Sequence, residues 1–286
     1  MTTVELVPHH TLTRGLCFGE GPRWHNGHLW CSDMHAHQVI QVSDKGAVTP
    51  VIRVENQPSG LGWLPDGSLL VVSMLDRRLL RWDGKELTEH ADLSDLARWH
   101  CNDMVVDREG RAWVGNFGFD LHGGAPQAAT ELICVGVDGV ARIVADDLVF
   151  PNGMVITPDG NTLIVAETFA SRLTAFDIDA RGDLQGRRLW AQLPAGAVPD
   201  GICLDSGGGI WSASPTTNEC IRQEEGGLIT HRVALDQGAF ACMLGGQAGE
   251  SLYMLTAGSS QPDECQARRS GKIEVVHAPY GRAGLP

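Results

Sequence analysis

Four residues of the chain, Glu20, Asn102, Asn152 and Asp200, are of types that bind a hard cation or a polar substrate. Each begins a short apolar strand that runs into a glycine turn. The same arrangement occurs six times, and the other two strand-start positions hold Ser59 and Ala241. The six segments are aligned on the turn glycines Gly27, Gly67, Gly110, Gly160, Gly208 and Gly249.

Glu20, Asn152 and Asp200 together supply two carboxylates and an amide oxygen. An all-oxygen set of this kind favours calcium over softer metals, with water or substrate at the remaining positions. We therefore predict one divalent metal ion, calcium by preference, with zinc, manganese and magnesium as alternatives. An Asp or Asn at a strand start can instead be a turn residue that caps the backbone. The agreement in register across the repeats favours the metal site.

The strand-start residues can meet only if the repeats are arranged around one axis. They lie 39 to 50 residues apart, which is the length of one four-stranded propeller blade. The second repeat shows the plan, with four short strands that each end near Gly, Asp or Pro: SGLGWLPDG, SLLVVSML, RRLLRWDG and KELTEHADL. We predict an all-β, six-bladed propeller of four-stranded antiparallel blades, forming one domain over residues 1–286. No helical period of useful length occurs.

The sixth repeat is one strand short. The segment VELVPHHTL precedes the first blade, and we expect this N-terminal strand to pair into the last blade and close the ring. In a meander the loops after the second strands border the strand-start residues. Two of these loops are long, 118–130 and 259–270, and with the segments 97–101 and 194–199 they are expected to wall a pocket above the channel.

Composition narrows the choice of partners. The net charge is −13 and Lys and Arg form no cluster, which argues against nucleic acid or an anionic membrane as a partner. The N-terminus lacks the pattern of a secretory signal, and no apolar run approaches the roughly 20 residues needed to span a bilayer. We expect a cytoplasmic protein.

The eight cysteines of the chain show no Cys-x-x-Cys spacing and are predicted to be reduced core thiols. Oligomeric state is not predicted.

The sequence resembles the family of gluconolactonase, regucalcin (senescence marker protein) and luciferin-regenerating enzyme. The matching motifs are EGPRW at 20–24, ND at 102–103, PNGM followed by TPDG within 151–160, and PDG at 199–201. The resemblance covers nearly the whole chain, in order. It implies a six-bladed propeller with a divalent metal in the channel, held by Glu20, Asn152 and Asp200, and a substrate contact at Asn102.

One departure from the family concerns substrate. Sugar-lactonase members often read Arg-x-Asn-Asp, whereas this chain has His100 two residues before Asn102. This difference weakens the inference that the chain shares the sugar-acid lactone substrate of those members. Phe117 and Phe119 near the same mouth indicate a less polar ligand, although aromatic residues at strand ends also serve as plain packing.

The predicted function is metal-dependent opening of a lactone, either a sugar-acid lactone or a less polar one, by water attack on a metal-polarised carbonyl. Asp200 is the predicted catalytic base, and Asn102, His100, Phe117 and Phe119 are the predicted substrate contacts. Two alternatives remain open. One is hydrolysis of phosphotriesters or other activated esters on the same metal centre, and the other is a non-catalytic calcium-binding propeller.

Two other motifs imitate metal sites. His35-Ala-His37 has alternate spacing but no third ligand nearby, so pocket lining or exposure is the preferred interpretation. DIDARGDLQG, starting at Asp177, resembles the first half of a calcium loop, but its twelfth position is Arg188 where a Glu is needed. A hairpin turn is predicted there.

Overall fold

Glycine turns at regular intervals let each apolar strand fold back on the one before it, so every repeat becomes one antiparallel sheet. A computed structural model describes residues 4–6 and 8–286, and its sheets form a six-bladed propeller as predicted. Residues 1–3 and 7 of the predicted domain lie outside the described part.

Two strands precede the first blade: β1 (Val4–Glu5) and β2 (His10–Leu16). The first blade contains β3 (Gly19–His25), β4 (His28–Asp33), β5 (Gln38–Val42) and β6 (Val48–Arg53). The second contains β7 (Pro58–Trp63), β8 (Leu69–Ser73), β9 (Arg78–Trp82) and β10 (Leu87–Asp92). The third contains β11 (Cys101–Val106), β12 (Ala112–Asn116), β13 (Thr130–Val135) and β14 (Ala141–Leu148).

The fourth blade contains β15 (Pro151–Ile156), β16 (Thr162–Glu167), β17 (Arg172–Ile178) and β18 (Leu184–Gln192). The fifth contains β19 (Ile202–Leu204), β20 (Ile210–Ser214), β21 (Glu219–Gln223) and β22 (Ile229–Ala234). The sixth contains β23 (Gly238–Gly245), β24 (Ser251–Ala257) and β25 (Gly271–His277). In the described part of the chain, three short helices complete the elements: two 3₁₀ turns, Met34–Ala36 and Thr168–Ala170, and α1 (Pro262–Arg268).

The N-terminal segment closes the ring. Strand β2 pairs antiparallel with β25 and so forms the outer strand of the sixth blade, with His10 opposite Val275 and Leu16 opposite Gly271. Pairing therefore extends to Leu16, beyond the predicted segment VELVPHHTL. The preceding strand β1 instead pairs in parallel with β22 and adds a fifth strand to the fifth blade.

The core lies between the blades. The inner strands of each blade are covered on both faces by the neighbouring blades, and so the second strands are mostly apolar and buried rather than alternating. All five residues of β8, Leu69–Ser73, are buried. Trp113 and Trp211 occupy equivalent second strands and are fully buried. This packing fixes the blade angles and hence the position of the inner strands.

All eight cysteines are free and buried, as predicted for reduced core thiols. The seven-residue helix α1 lies within the long loop 259–270, where the sequence showed no helical pattern. Within the described residues, none of the helices has the length and apolar character to cross a bilayer.

Candidate metal and substrate site

The inner strands are irregular where the site residues lie. The pairing of the first strand with the second shifts register between Glu20 and Arg23, between Cys101 and Met104, and again between Pro151 and Met154. A β-bulge at such a point bends the strand and turns its side chains out of the ladder. The irregularity therefore frees the strand-start side chains from their own sheets.

Glycines beside the site allow neighbouring blades to approach backbone to backbone. A Cβ at Gly153 would lie 2.5 Å from the backbone nitrogen of Ile202, and one at Gly201 would lie 2.7 Å from Cα of Ala241. Any side chain at these positions would force the blades apart. The Asn-Gly and Asp-Gly pairs of the sequence thus bring Asn152 and Asp200 close to the axis.

Each of the three predicted metal-ligand segments is also held by a side chain from the end of its blade's second strand. The backbone N–H of Phe18 donates to Asp33 Oδ1 (2.9 Å). That of Val149 donates to Glu167 Oε2 (2.9 Å), and that of Val198 to Ser214 Oγ (3.2 Å). These bonds fix the chain two or three residues before Glu20, Asn152 and Asp200.

One cavity of about 430 Å³ brings together six of the seven predicted site residues. They are Glu20, His100, Asn102, Phe117, Asn152 and Asp200. The four segments expected to form its walls all contribute, through His100, Leu121 and His122, Val198, and Ser260 and Pro262. Four of the strand-start residues form its base and are between 5% and 7% exposed: Glu20, Asn102, Asn152 and Asp200.

Phe119 is placed differently. Its ring packs 5.9 Å from Phe150 and 5.8 Å from Phe169, centroid to centroid, and both of those rings line the cavity. Phe119 therefore packs behind the cavity wall and supports the rings of Phe150 and Phe169.

Both amides at the base have their NH₂ groups engaged. Asn152 Nδ2 donates to Thr168 Oγ1 (3.2 Å), and that hydroxyl donates to the carbonyl of Pro199 (2.9 Å). Asn102 Nδ2 donates to the carbonyl of Pro151 (3.3 Å). These bonds leave the amide oxygens as the free ends. Thr168 also connects the strand start of the fourth blade to the residue before Asp200.

The base of the cavity carries more negative than positive charge. Arg23 forms a salt bridge with Asp103 (2.7 Å), which leaves Glu20 and Asp200 without a salt-bridge partner among the described residues. Burial, and then the nearby charges of Asp200 and Asp103, raise the pKa of Glu20 well above its usual value. Burial also raises the pKa of Asp200 strongly; a hydrogen bond with the Asn152 side chain opposes this rise in pKa, and the charge of Asp103 adds to it.

These residues fit a divalent cation. Oδ1 of Asp200 is buried and has no hydrogen-bond partner in the described part of the chain, which is costly unless something binds it. Among the described residues no three His, Cys, Asp or Glu side chains are grouped to hold a metal, so the set here would need the Asn152 amide besides its two carboxylates. Glu20, Asn152 and Asp200 are the residues that would hold the ion.

Three histidines line the same cavity: His35, His100 and His122. The ring of His100 stacks on Trp99 (5.0 Å), and burial lowers its pKa. His35 is also part of the lining, and its Nε2 lies 3.3 Å from the carbonyl of Ser260. Since a carbonyl only accepts, Nε2 carries the proton and donates. The neighbouring His37 bonds instead to the carbonyl of Glu55 (2.8 Å), so the two histidines of the His-Ala-His motif face different partners.

Sequence reasoning missed Thr168 and the aromatic residues Phe18, Phe150, Phe169 and Phe240. Thr168 directly follows β16, the second strand of the fourth blade. An alignment of the second strands of all six blades could therefore have indicated this residue. The DIDARGDLQG segment forms the turn between β17 and β18, as predicted, with Asp177 salt-bridged to Arg188 (2.7 Å).

Comparison with known proteins gives a consistent picture. A family model described as the SMP-30/Gluconolactonase/LRE-like region matches residues 18–258. The pentonolactonase XacC of Haloferax volcanii is 27% identical over 246 residues, covering 84% of this chain and 81% of that protein. Regucalcin of Gallus gallus is 24% identical and covers 88% and 87% of the two chains.

Solved structures share the same fold. The calcium-binding protein regucalcin from Agrobacterium tumefaciens str. C58 superposes with a TM-score of 0.79 at 22% identity, over 99% of both chains.

Proposed function

The chain belongs to the SMP-30/gluconolactonase/LRE-like family, and from this premise we propose that it is a metal-dependent hydrolase that opens lactones. Lactonases among its relatives support the reaction class, and regucalcins among them support calcium as the ion. The observation that carries the proposal is the unpartnered Asp200 carboxylate oxygen, buried beside a second carboxylate at the base of the cavity.

When bound, a divalent cation supplies positive charge that polarises a lactone carbonyl and stabilises the developing oxyanion. The chain's own residues supply the rest. Asp200 accepts the proton of the attacking water, since a carboxylate at the base of the cavity is within reach of a bound substrate. Asn102 and His100 position the substrate, and Phe117 lines its path to the base.

The test is hydrolysis of a lactone panel, followed by pH-indicator absorbance above the uncatalysed rate. Turnover should disappear after chelation and return with Ca²⁺, with Mn²⁺, Mg²⁺ and Zn²⁺ compared. Asp200→Asn should lower kcat by about 100-fold or more, because it removes both a ligand and the base.

Asp177→Asn is the matched control, since Asp177 lies on a surface hairpin, in the segment whose sequence resembles the first half of a calcium-binding loop. Its variant should keep full activity. Full turnover and full metal affinity in Asp200→Asn would refute the role given to Asp200. Activity confined to phosphotriesters would replace the lactonase proposal with the ester alternative, and calcium binding without turnover would replace it with a binding role.

A further inference from the structure

We propose that the lactone opened by this site is uncharged and carries an apolar aryl or alkyl substituent, rather than the hydroxyls of a sugar acid. This inference rests on the proposed lactonase function and names its substrate class. It is drawn from the walls of the cavity, not from its base.

Phenylalanine is concentrated at this site. Of the seven in the chain, five line the cavity: Phe18, Phe117, Phe150, Phe169 and Phe240. A sixth, Phe119, packs behind them. A purely structural role would distribute these rings among the blade interfaces, so their convergence on one cavity indicates that the cavity accommodates apolar surface.

The rings form two groups. Phe18 and Phe240 are in edge contact at 4.7 Å and belong to the junction of the sixth and first blades. Phe150 contacts Phe117 at 4.4 Å and Phe169 at 4.9 Å, at the junction of the third and fourth blades. In a six-bladed ring these junctions lie on opposite sides of the axis. A substituent that extends upward from the base would therefore lie between two aromatic walls.

Above the base, apolar side chains outnumber polar ones among the described lining residues by twelve to seven, and some of the polar groups are already hydrogen-bonded. The seven polar residues are His35, Gln57, His100, His122, Thr168, Thr216 and Ser260. Thr216 Oγ1 donates to the carbonyl of Gly196 (2.7 Å), and His35 is bonded to Ser260. Seven further apolar residues take part in the described lining: Met34, Met74, Leu75, Leu121, Val198, Pro215 and Pro262. A polyhydroxylated lactone would lose more hydrogen bonds to water than these walls can replace.

The charge of the cavity lining also restricts which substrates can bind. The described residues that line the cavity include no Lys and no Arg, and two carboxylates lie at its base. A sulfonate, phosphate or second carboxylate on the substrate would therefore have no cation to pair with above the base. The site favours a neutral molecule.

The experiment compares kcat/KM of the Ca²⁺-loaded protein for dihydrocoumarin, γ-nonalactone and D-glucono-1,5-lactone. The first two represent aryl and alkyl substituents. We expect both to exceed the sugar lactone by about tenfold or more, and the stronger of the two identifies the substituent. Phe169→Ala and Phe240→Ala, one from each wall, should lower kcat/KM for the preferred lactone by about tenfold more than for the sugar lactone.

Phe169→Leu should restore most of the preference, and Leu189→Ala, which removes an exposed apolar side chain on β18, should have no effect. Calorimetric binding of 3,4-dihydro-2(1H)-quinolinone, the lactam counterpart of dihydrocoumarin, gives a readout independent of turnover. Circular dichroism confirms that each variant is folded.

A preference for glucono-1,5-lactone, or wall variants indistinguishable from Leu189→Ala, would overturn the inference and leave lactone hydrolysis intact. Loss of all lactone turnover would refute the proposed function instead. In that case lactam binding that is weakened by Phe169→Ala would still support an apolar ligand class, and absence of binding would refute it as well.

Discussion

The Thr168 hydroxyl connects Asn152, one residue that would hold the ion, to the backbone directly before Asp200, another. It accepts from the Asn152 amide and donates to the carbonyl of Pro199, the residue before Asp200. We expect Thr168→Val, which keeps the shape and removes the hydroxyl, to weaken Ca²⁺ binding by about 10- to 100-fold, the usual effect of losing a residue that orients a ligand. Isothermal titration measures the affinity.

Thr216→Val provides the matched control, because Thr216 also lines the cavity and also donates to a backbone carbonyl, that of Gly196, without touching a predicted ligand. If both variants bind Ca²⁺ equally well, Thr168 has no positioning role. A uniform loss of thermal stability in both would show only that each hydroxyl satisfies a carbonyl.

At the scale of elements, His35 connects the 3₁₀ turn Met34–Ala36 to the loop that contains α1. It donates to the carbonyl of Ser260 (3.3 Å), and its own carbonyl accepts from Gln266 (3.2 Å). Burial, aided by the charges of His122 and His37, lowers the pKa of His35 to about 4 from a usual 6.5. The folded protein therefore binds its proton less readily than the unfolded chain does.

As the pH falls below 6.5, His35 becomes protonated in the unfolded chain but stays neutral in the folded protein. The free energy of unfolding therefore falls until about pH 4, below which His35 is protonated in both states. The loss is about 3 kcal/mol, from 1.36 kcal/mol per pKa unit. Urea unfolding should show the wild type losing about that much more than His35→Gln between pH 7 and pH 4. His28→Gln, at an exposed site, should behave as wild type, and parallel losses in wild type and His35→Gln would contradict the prediction.

The strands were predictable and the helix was not, for a physical reason. Each strand is bounded by turn residues, and the inner strands are covered on both faces, so the local sequence pattern indicates where each strand lies. Helix α1 has seven residues, too few to be stable alone. It depends on contacts such as the hydrogen bond from Cys265 Sγ to the carbonyl of Ser259 (3.0 Å) and its packing against the 3₁₀ turn Met34–Ala36.

At the scale of the whole molecule, the repeat period determines which residues share the axis, and for this reason the base of the site followed from the sequence. Its walls did not. Phe18, Phe150 and Phe240 each precede or begin an inner strand in a different blade, and only the assembled ring brings them to one cavity. Thr168 was missed for the same reason, since its partners lie in β15 and in the segment before Asp200.

Ring closure is the last property that belongs to the whole molecule. Strand β2 covers the edge of β25, and its buried Leu16 packs in the core shared by the fifth, sixth and first blades. Removing residues 1–16 should cost more than about 3 kcal/mol, because it exposes a sheet edge and deletes that core side chain. Among the described residues, removing 1–8 takes away the exposed Val4–Glu5 pairing and the partly buried Leu6, whose backbone N–H donates to the carbonyl of Arg232 (2.8 Å). This truncation should cost clearly less, about 1 to 2 kcal/mol. Urea unfolding followed by tryptophan fluorescence compares them, and equal midpoints for the two truncations would show that β2 does not hold the ring closed.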